Sequence, residues 1–266
     1  MPALKYSSVK KIKLLLDDLL NNHIGRALIN PNNHSGNPFV LALFRQFEPL
    51  IHRIHGMKTS LGNQLEKIAE IIALQNVSEE YVQRNLNVNI TLPRNVFAEI
   101  DRIINELSNA QNLSDYQREK DLVILACQNP SAEFESHTYE FDLIITNPNT
   151  NHKVIIEMKG PDPNTTEVPG AKKRLLVGLA WLYLEGHRNI DCKLGIYYNN
   201  KNPRPYRNAK VLAYFNPNGG ILTQENFWNF LGSNDNIYPE LIQFFNLYGE
   251  KNKRRILNSF QNLIQE

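Results

Sequence analysis

Asp142, Glu157 and Lys159 have the residue types and the spacing of a metal-dependent hydrolytic site. Asp142 interrupts an apolar run that ends at Ile145, and Glu157 and Lys159 close a second run that is β-branched. An asparagine-rich polar segment separates the two runs, so residues 139–159 predict a β-hairpin. Because side chains alternate along a strand, Glu157 and Lys159 share one face, and Asp142 on the partner strand can lie close to both.

These residues suit the hydrolysis of a phosphodiester. The carboxylates of Asp142 and Glu157 are hard oxygen ligands for Mg²⁺, which keeps several waters and takes few carboxylates. The metal would lower the pKa of a bound water and neutralise the charge that grows on the phosphate. Lys159 would orient that water or stabilise the transition-state oxyanion. The alternative is a surface hairpin with solvated charges, which Asp142 disfavours because an unpaired acid among apolar neighbours is costly.

The surrounding elements predict a mixed α/β fold. Apolar residues at helical spacing indicate helices over residues 9–20, 38–52, 59–73 and 95–107, a helix that opens at Lys172, and helical stretches over 226–231, 238–247 and from 251 onward. Alternating or β-branched runs indicate strands over residues 88–92, 193–198 and 211–215, while residues 122–127 suggest a helix that turns into a buried strand.

The chain of 266 residues is expected to form a single domain. We expect a central mixed sheet flanked by helices, with the site at one sheet edge. A helical N-terminal segment (about 1–75) and a helical C-terminal segment (about 225–266) would pack on this core. No run of about 18 apolar residues and no signal peptide is visible, so we expect a cytoplasmic protein without a membrane contact.

Composition excludes several classes of protein. The 29 lysines and arginines nearly balance 27 acids, which is not the strongly basic composition of a passive nucleic-acid coat, so DNA affinity must come from local patches. The 2 cysteines, Cys127 and Cys192, are far apart, so neither a disulfide framework nor a zinc site is indicated.

Two basic clusters are candidates for contact with DNA. Lys172 and Lys173 stand at a predicted helix start, where cations oppose the helix dipole, so a DNA phosphate would explain them. Lys201, Arg204 and Arg207 belong to a loop without acids, whose Arg, Lys, Asn and Tyr side chains suit phosphates and base edges. A plain solvated loop would have a similar composition.

The hairpin resembles the D…ExK core of the PD-(D/E)xK nuclease superfamily, although Phe141 replaces the proline of that motif. The order of motifs along the chain also resembles TdeIII-type restriction endonucleases. The segments that carry this resemblance are TSLGNQLEKIA (59–69), IEMKGPDPN (156–164), AKKRLL (171–176), ENFWNFLG (225–232) and residues 238–250.

The resemblance implies a restriction-endonuclease-like core and Mg²⁺-dependent cleavage of double-stranded DNA at a short palindrome, with GGNCC as the site of that family. Asp142, Glu157 and Lys159 carry over as the catalytic set. Glu66 carries over as a helix glutamate that reaches the site, with Glu70 as the alternative; both are otherwise solvated helix residues.

We therefore expect a type II restriction endonuclease of a restriction–modification system. It would act as a homodimer, because two-fold symmetry matches a palindrome, and would need no small-molecule cofactor. One alternative is a repair or recombination nuclease of the same fold that reads DNA structure. The other is a DNA-binding module that does not cleave.

Overall fold

The computed structural model describes residues 2–24, 48–110, 113–202 and 204–265. In chain order its elements are α1 (Tyr6–Ile24), α2 (Glu48–Ala73), β1 (Val82–Pro93), α3 (Arg94–Ser108), α4 (Tyr116–Gln128), β2 (Phe134–Asn147), β3 (His152–Lys159), α5 (Glu167–Leu184), β4 (Ile190–Ile196), α6 (Ala209–Tyr214), β5 (Ile221–Thr223), α7 (Glu225–Gly232) and α8 (Ile237–Gln265). They form two compact units, one of residues 1–71 and 236–266 and one of residues 72–235.

The first unit contains α1, most of α2, and α8. The carboxylate of Glu240 accepts from the backbone N–H groups of Ala3 and Leu4, both at 2.8 Å, just before α1 begins. Further along, the hydroxyl of Tyr248 donates to Asp17 Oδ1 at 2.8 Å. These hydrogen bonds fix α1 against α8. The helical stretches expected over residues 238–247 and from 251 onward are one continuous helix, α8.

The second unit is built on a mixed sheet of five strands within the described part of the chain, in the order β1-β2-β3-β4-β5. β1, β2 and β3 pair antiparallel, while β3, β4 and β5 pair parallel. The predicted hairpin is present, with Leu143 opposite Ile156 and Ile145 opposite Val154. The expectation of a mixed α/β sheet is therefore confirmed.

Helices cover both faces of this sheet. On one face α5 lies so close that a Cβ on Gly178 would be 2.6 Å from Ile155 Cδ1 and 2.8 Å from Phe141 Cε1, so glycine is needed there. α3 and α4 pack beside α5 and complete the main core. On the other face Phe227 of α7 lies against Gly195 of β4. The helix α5 is thus held rigidly above β2 and β3.

Several expectations about local structure were wrong. Residues 211–215 belong to α6 and its C-terminal cap rather than to a strand, and residues 122–127 stay helical throughout α4. The helix predicted over residues 59–73 begins earlier, at Glu48. The helix expected from residue 38 falls mostly outside the described residues. The single-domain arrangement stays a prediction.

None of the helices in the described segments is long and apolar enough to span a membrane.

Candidate active site

The structure brings the side chains of Asp142, Glu157 and Lys159 together. The ammonium of Lys159 lies 2.7 Å from Glu157 Oε1 and 3.7 Å from Asp142 Oδ2. It also donates to the carbonyl oxygen of Met158 at 3.2 Å. The three residues lie on β2 and at the end of β3, which is the middle strand of the sheet. We expected a site at a sheet edge, whereas these residues lie on inner strands of the described sheet.

A break in strand pairing positions Asp142. The regular pairing of β2 with β3 ends at Leu143 and Ile156. Beyond that pair, Asp142 Oδ2 accepts from the backbone N–H of Met158 at 2.7 Å, so a side chain takes the place of a backbone acceptor. On the other side of β2, Asn85 in β1 has a φ of 50°, a conformation that asparagine tolerates better than most residues. Local distortion of the sheet thus turns an acid toward β3.

Glu157 is buried, with 1% of its surface exposed, and it needs partners for its charge. Arg174 of α5 donates Nε to Glu157 Oε2 at 3.1 Å and Nη2 to Glu157 Oε1. Paired hydrogen bonds from an arginine to a carboxylate are among the strong hydrogen bonds of proteins. Arg174 was not among the predicted site residues, although it belongs to the AKKRLL segment (171–176) that carries part of the family resemblance.

The charges of the cluster stabilise one another. Burial alone would lower the pKa of Lys159, but the carboxylates of Glu157 and Asp142 outweigh it, and the pKa lies above its ordinary value. Hydrogen bonds to Glu157 likewise raise the pKa of Arg174. Both side chains are therefore cations at neutral pH. Lys159 is suited to stabilise negative charge rather than to remove a proton.

The cluster lines an open cleft of about 490 Å³, together with Glu140 and Lys173. A larger hollow of about 620 Å³ lies at the other end of the hairpin, beside Asn147 and His152. That hollow has no counterpart of the paired acids and lysine, so we place the chemistry in the smaller cleft.

The donor atoms fit a hard divalent cation. The ammonium of Lys159 lies near one carboxylate oxygen of each acid and near the Met158 carbonyl oxygen, so these oxygens accommodate a positive charge. Among the described residues, no group of three or more His, Cys, Asp or Glu could hold a metal. Asp142 and Glu157 thus offer two carboxylates. Two are enough for Mg²⁺, which is commonly bound by one or two carboxylates, with waters and substrate phosphates completing its shell.

The structure argues against Lys172 as a DNA contact. Lys172 is 2% exposed and forms an ion pair with Glu119, itself 2% exposed, inside the core. Burial lowers the pKa of Lys172. The helix begins at Glu167, so Lys172 is not at its start, and the argument from the helix dipole does not apply. Lys173 is different: it is 36% exposed, pairs with Asp101 at 2.5 Å and reaches the cleft.

Lys201, Arg204 and Arg207 are exposed, as expected for a surface that contacts DNA. None of the ion pairs among the described residues involves them. Glu66 and Glu70 lie half-buried in the part of α2 that belongs to the first unit. A role for either glutamate in the site stays a prediction, as does DNA contact by the three basic residues.

The chain has the restriction-endonuclease-like fold. Its mixed sheet is flanked by helices and carries two acids and a lysine on adjacent inner strands. The family described as "Type II restriction endonuclease, HinfI" matches residues 6–249, and the chain belongs to this family. It is also similar to the type II restriction enzyme MjaII of Methanocaldococcus jannaschii, at 25% identity over 237 residues. That alignment covers 83% of this chain and 61% of MjaII, so the chain spans less than two thirds of that relative.

Proposed function

We propose that this protein is a type II restriction endonuclease that hydrolyses phosphodiester bonds of double-stranded DNA at a short sequence, with Mg²⁺ as cofactor. The observation that carries the proposal is the cation of Lys159 held between the carboxylates of Asp142 and Glu157 in a chain of the HinfI family. MjaII, a relative, carries the name of the same class of enzyme.

Each residue of the cluster has a separate task in this mechanism. Asp142 and Glu157 would hold the Mg²⁺ ion, which supplies an activated water and neutralises charge on the phosphate. Lys159, which is protonated, donates hydrogen bonds to the attacking water or to the phosphate oxygens as negative charge develops. Arg174 keeps the buried Glu157 ionised and oriented through its paired hydrogen bonds. The low accessibility of Glu157 strengthens these interactions.

Exposed cations would bind the duplex. Lys201, Arg204 and Arg207 would contact phosphates or base edges, and Lys173 would approach the strand at the cleft. A palindromic target would require two copies of the chain related by two-fold symmetry, so we propose a homodimer. The resemblance to TdeIII-type enzymes suggests GGNCC as the first sequence to test.

Digestion of a long DNA of known sequence tests the proposal. With Mg²⁺ or Mn²⁺ we expect a reproducible ladder whose fragments end at one sequence, and no cutting in EDTA. Ca²⁺ should support binding without turnover. Undiminished cutting in EDTA would contradict the metal-dependent mechanism.

Other outcomes of the digestion would point to the alternative functions. A smear, or a preference for branched junctions over linear duplex, would indicate a structure-specific nuclease. Binding without cutting in every metal would indicate a DNA-binding module.

A further inference from the structure

Two loops meet beside the candidate active site. The first, residues 160–164, follows Lys159 directly, and we call it the catalytic-strand loop. The second follows β4 and includes Lys201, Arg204 and Arg207; we call its described residues, 199–202 and 204–208, the basic loop. They leave neighbouring parallel strands at the same end of the sheet, where the N–H of Tyr197 donates to the carbonyl of Lys159 at 3.1 Å.

Hydrogen bonds join the two loops. The hydroxyl of Tyr206 donates to the carbonyl of Pro161 at 2.8 Å. The amide of Asn208 donates to the Pro161 carbonyl and to Asp162 Oδ1, each at 3.3 Å. The amide of Asn200 donates to the other oxygen, Asp162 Oδ2. Asp162 therefore accepts from both ends of the basic loop, one oxygen for each end.

The basic loop is also braced internally, so its attachment fixes the placement of its cations. Asn199 Nδ2 donates to the carbonyl of Arg204 at 2.6 Å, and the N–H of Arg204 donates to the carbonyl of Lys201 at 2.9 Å. Burial, with the nearby charge of Asp162, raises the pKa of Tyr206 to about 12, so its hydroxyl remains a donor at neutral pH.

Asp162 is an exposed acid beside a surface proposed to bind DNA, where its charge repels phosphate. A carboxylate in this place weakens DNA binding. Its hydrogen bonds to Asn200 and Asn208 give it a structural role that offsets this cost. In asparagine one of these two oxygens is replaced by an NH₂ group, which would face an amide NH₂ of Asn200 or Asn208 instead of accepting from it. A carboxylate therefore matches the observed bridge, and asparagine does not.

We propose that Asp162 is a positioning residue that couples the basic loop to the catalytic strand, so that DNA held by the basic loop presents its scissile bond to Lys159. This inference rests on the proposed nuclease function and adds a specificity device to it. Displacement of a reacting group by about 1 Å can cost roughly 10²-fold in rate, so a rigid link between recognition and chemistry is effective. A non-cognate sequence that seats the basic loop poorly would then be cut slowly.

The test compares Asp162→Ala and Asp162→Asn with the wild-type protein. We expect the single-turnover cleavage rate at saturating DNA to fall about 10- to 100-fold, while the Kd for DNA in Ca²⁺ changes by less than about threefold. The ratio of cleavage rates for cognate and one-mismatch sites should also fall. Asp121→Ala is the matched control, since Asp121 is exposed and accepts from Gln117 on α4.

A second measurement separates this inference from the proposed function. Hydrogen exchange of the basic-loop amides needs no DNA, and it should become faster in Asp162→Ala and, to a smaller extent, in Tyr206→Phe. Tyr206→Phe also serves if Asp162→Ala does not fold, and its cleavage rate should fall in the same direction. Unchanged exchange, or an unchanged rate at saturating DNA, would overturn the coupling.

The remaining outcomes also decide the question. A rate defect that disappears at saturating DNA would place Asp162 in binding alone and overturn the positioning role. The wild-type protein could cut no DNA while hydrogen exchange of the basic-loop amides still depends on Asp162. The two loops would then be joined, but the proposed function would fail, and the coupling of recognition to cleavage would fail with it.

Discussion

Replacing Arg174 with alanine tests how the site keeps a buried carboxylate charged. Glu157 is 1% exposed, and Arg174 donates to both of its oxygens. Removing one partner of a buried ion pair costs about 3–5 kcal/mol. Lys159 still contacts one oxygen at 2.7 Å, and the Arg174 side chain is 32% exposed, so the loss is smaller here. We expect about 2 kcal/mol of stability, or roughly 4–8 °C in Tm.

Urea unfolding in EDTA measures this difference. Arg118→Ala is the matched control, because Arg118 is 44% exposed and lies 3.4 Å from Glu106, and such surface pairs contribute about 0–1 kcal/mol. Mg²⁺ should narrow the gap between Arg174→Ala and the wild type, because an ion at the proposed site would stabilise the folded protein and restore positive charge beside Glu157. An Arg174→Ala protein as stable in EDTA as the Arg118→Ala control would refute the reasoning.

Two further substitutions test the packing of the sheet and the reassignment of Lys172. Gly195→Ala would place a Cβ 2.4 Å from Cε2 of the fully buried Phe227. It should cost about 1–3 kcal/mol of stability and lower the urea midpoint accordingly. In Gly249→Ala the new Cβ meets no atom within 4 Å, and the midpoint should not fall. Equal midpoints for the two would mean that α7 does not press on β4. Lys172→Met leaves the buried Glu119 without its cation and should cost about 3–5 kcal/mol. The DNA affinity of the folded variant should be unchanged, and a loss of affinity at normal stability would restore Lys172 as a DNA contact.

The hairpin was predictable because its signals are local. An apolar run before an asparagine-rich turn and a β-branched run after it specify two strands, and alternation then places Glu157 and Lys159 together. The burial of Glu157 was not predictable in this way. It depends on α5 lying over β3, which is a tertiary contact made possible by the close approach at Gly178. The pairing of Glu157 with Arg174 follows from the same contact.

The assignment of Lys172 failed because the start of α5 was misplaced. Proline and glycine at positions 169 and 170 indicate a loop in the sequence, yet α5 begins before them, at Glu167. Proline is accepted in the first turn of a helix, because the N–H that it lacks would have no helical partner there. Helical spacing from Val168 then places Lys172 on the buried side with Leu175. A correct helix start would have placed Lys172 inside and Lys173 and Arg174 toward the cleft.

Two further errors share a cause, since short apolar runs fit a strand or a helix equally well. Residues 211–214 become helical because Asn208 caps α6, accepting from the N–H groups of Lys210 and Val211 at 3.1 and 3.4 Å. Residues 122–127 continue α4, which Asp115 caps by accepting from the N–H of Arg118 at 3.1 Å. Both caps are visible in the sequence, and their use would have favoured helices.

The Lys159→Ala variant tests most directly the assignment of a nuclease centre to Asp142, Glu157 and Lys159. Single-turnover cleavage in Mg²⁺ is measured beside gel-shift titration in Ca²⁺, with Lys153→Ala on the same strand as control. The loss of one donor to a developing negative charge costs about 10²–10³-fold in rate, so cleavage should fall by at least that factor while DNA affinity stays within a few-fold. A Lys159→Ala protein that cuts DNA at the wild-type rate would contradict the assignment.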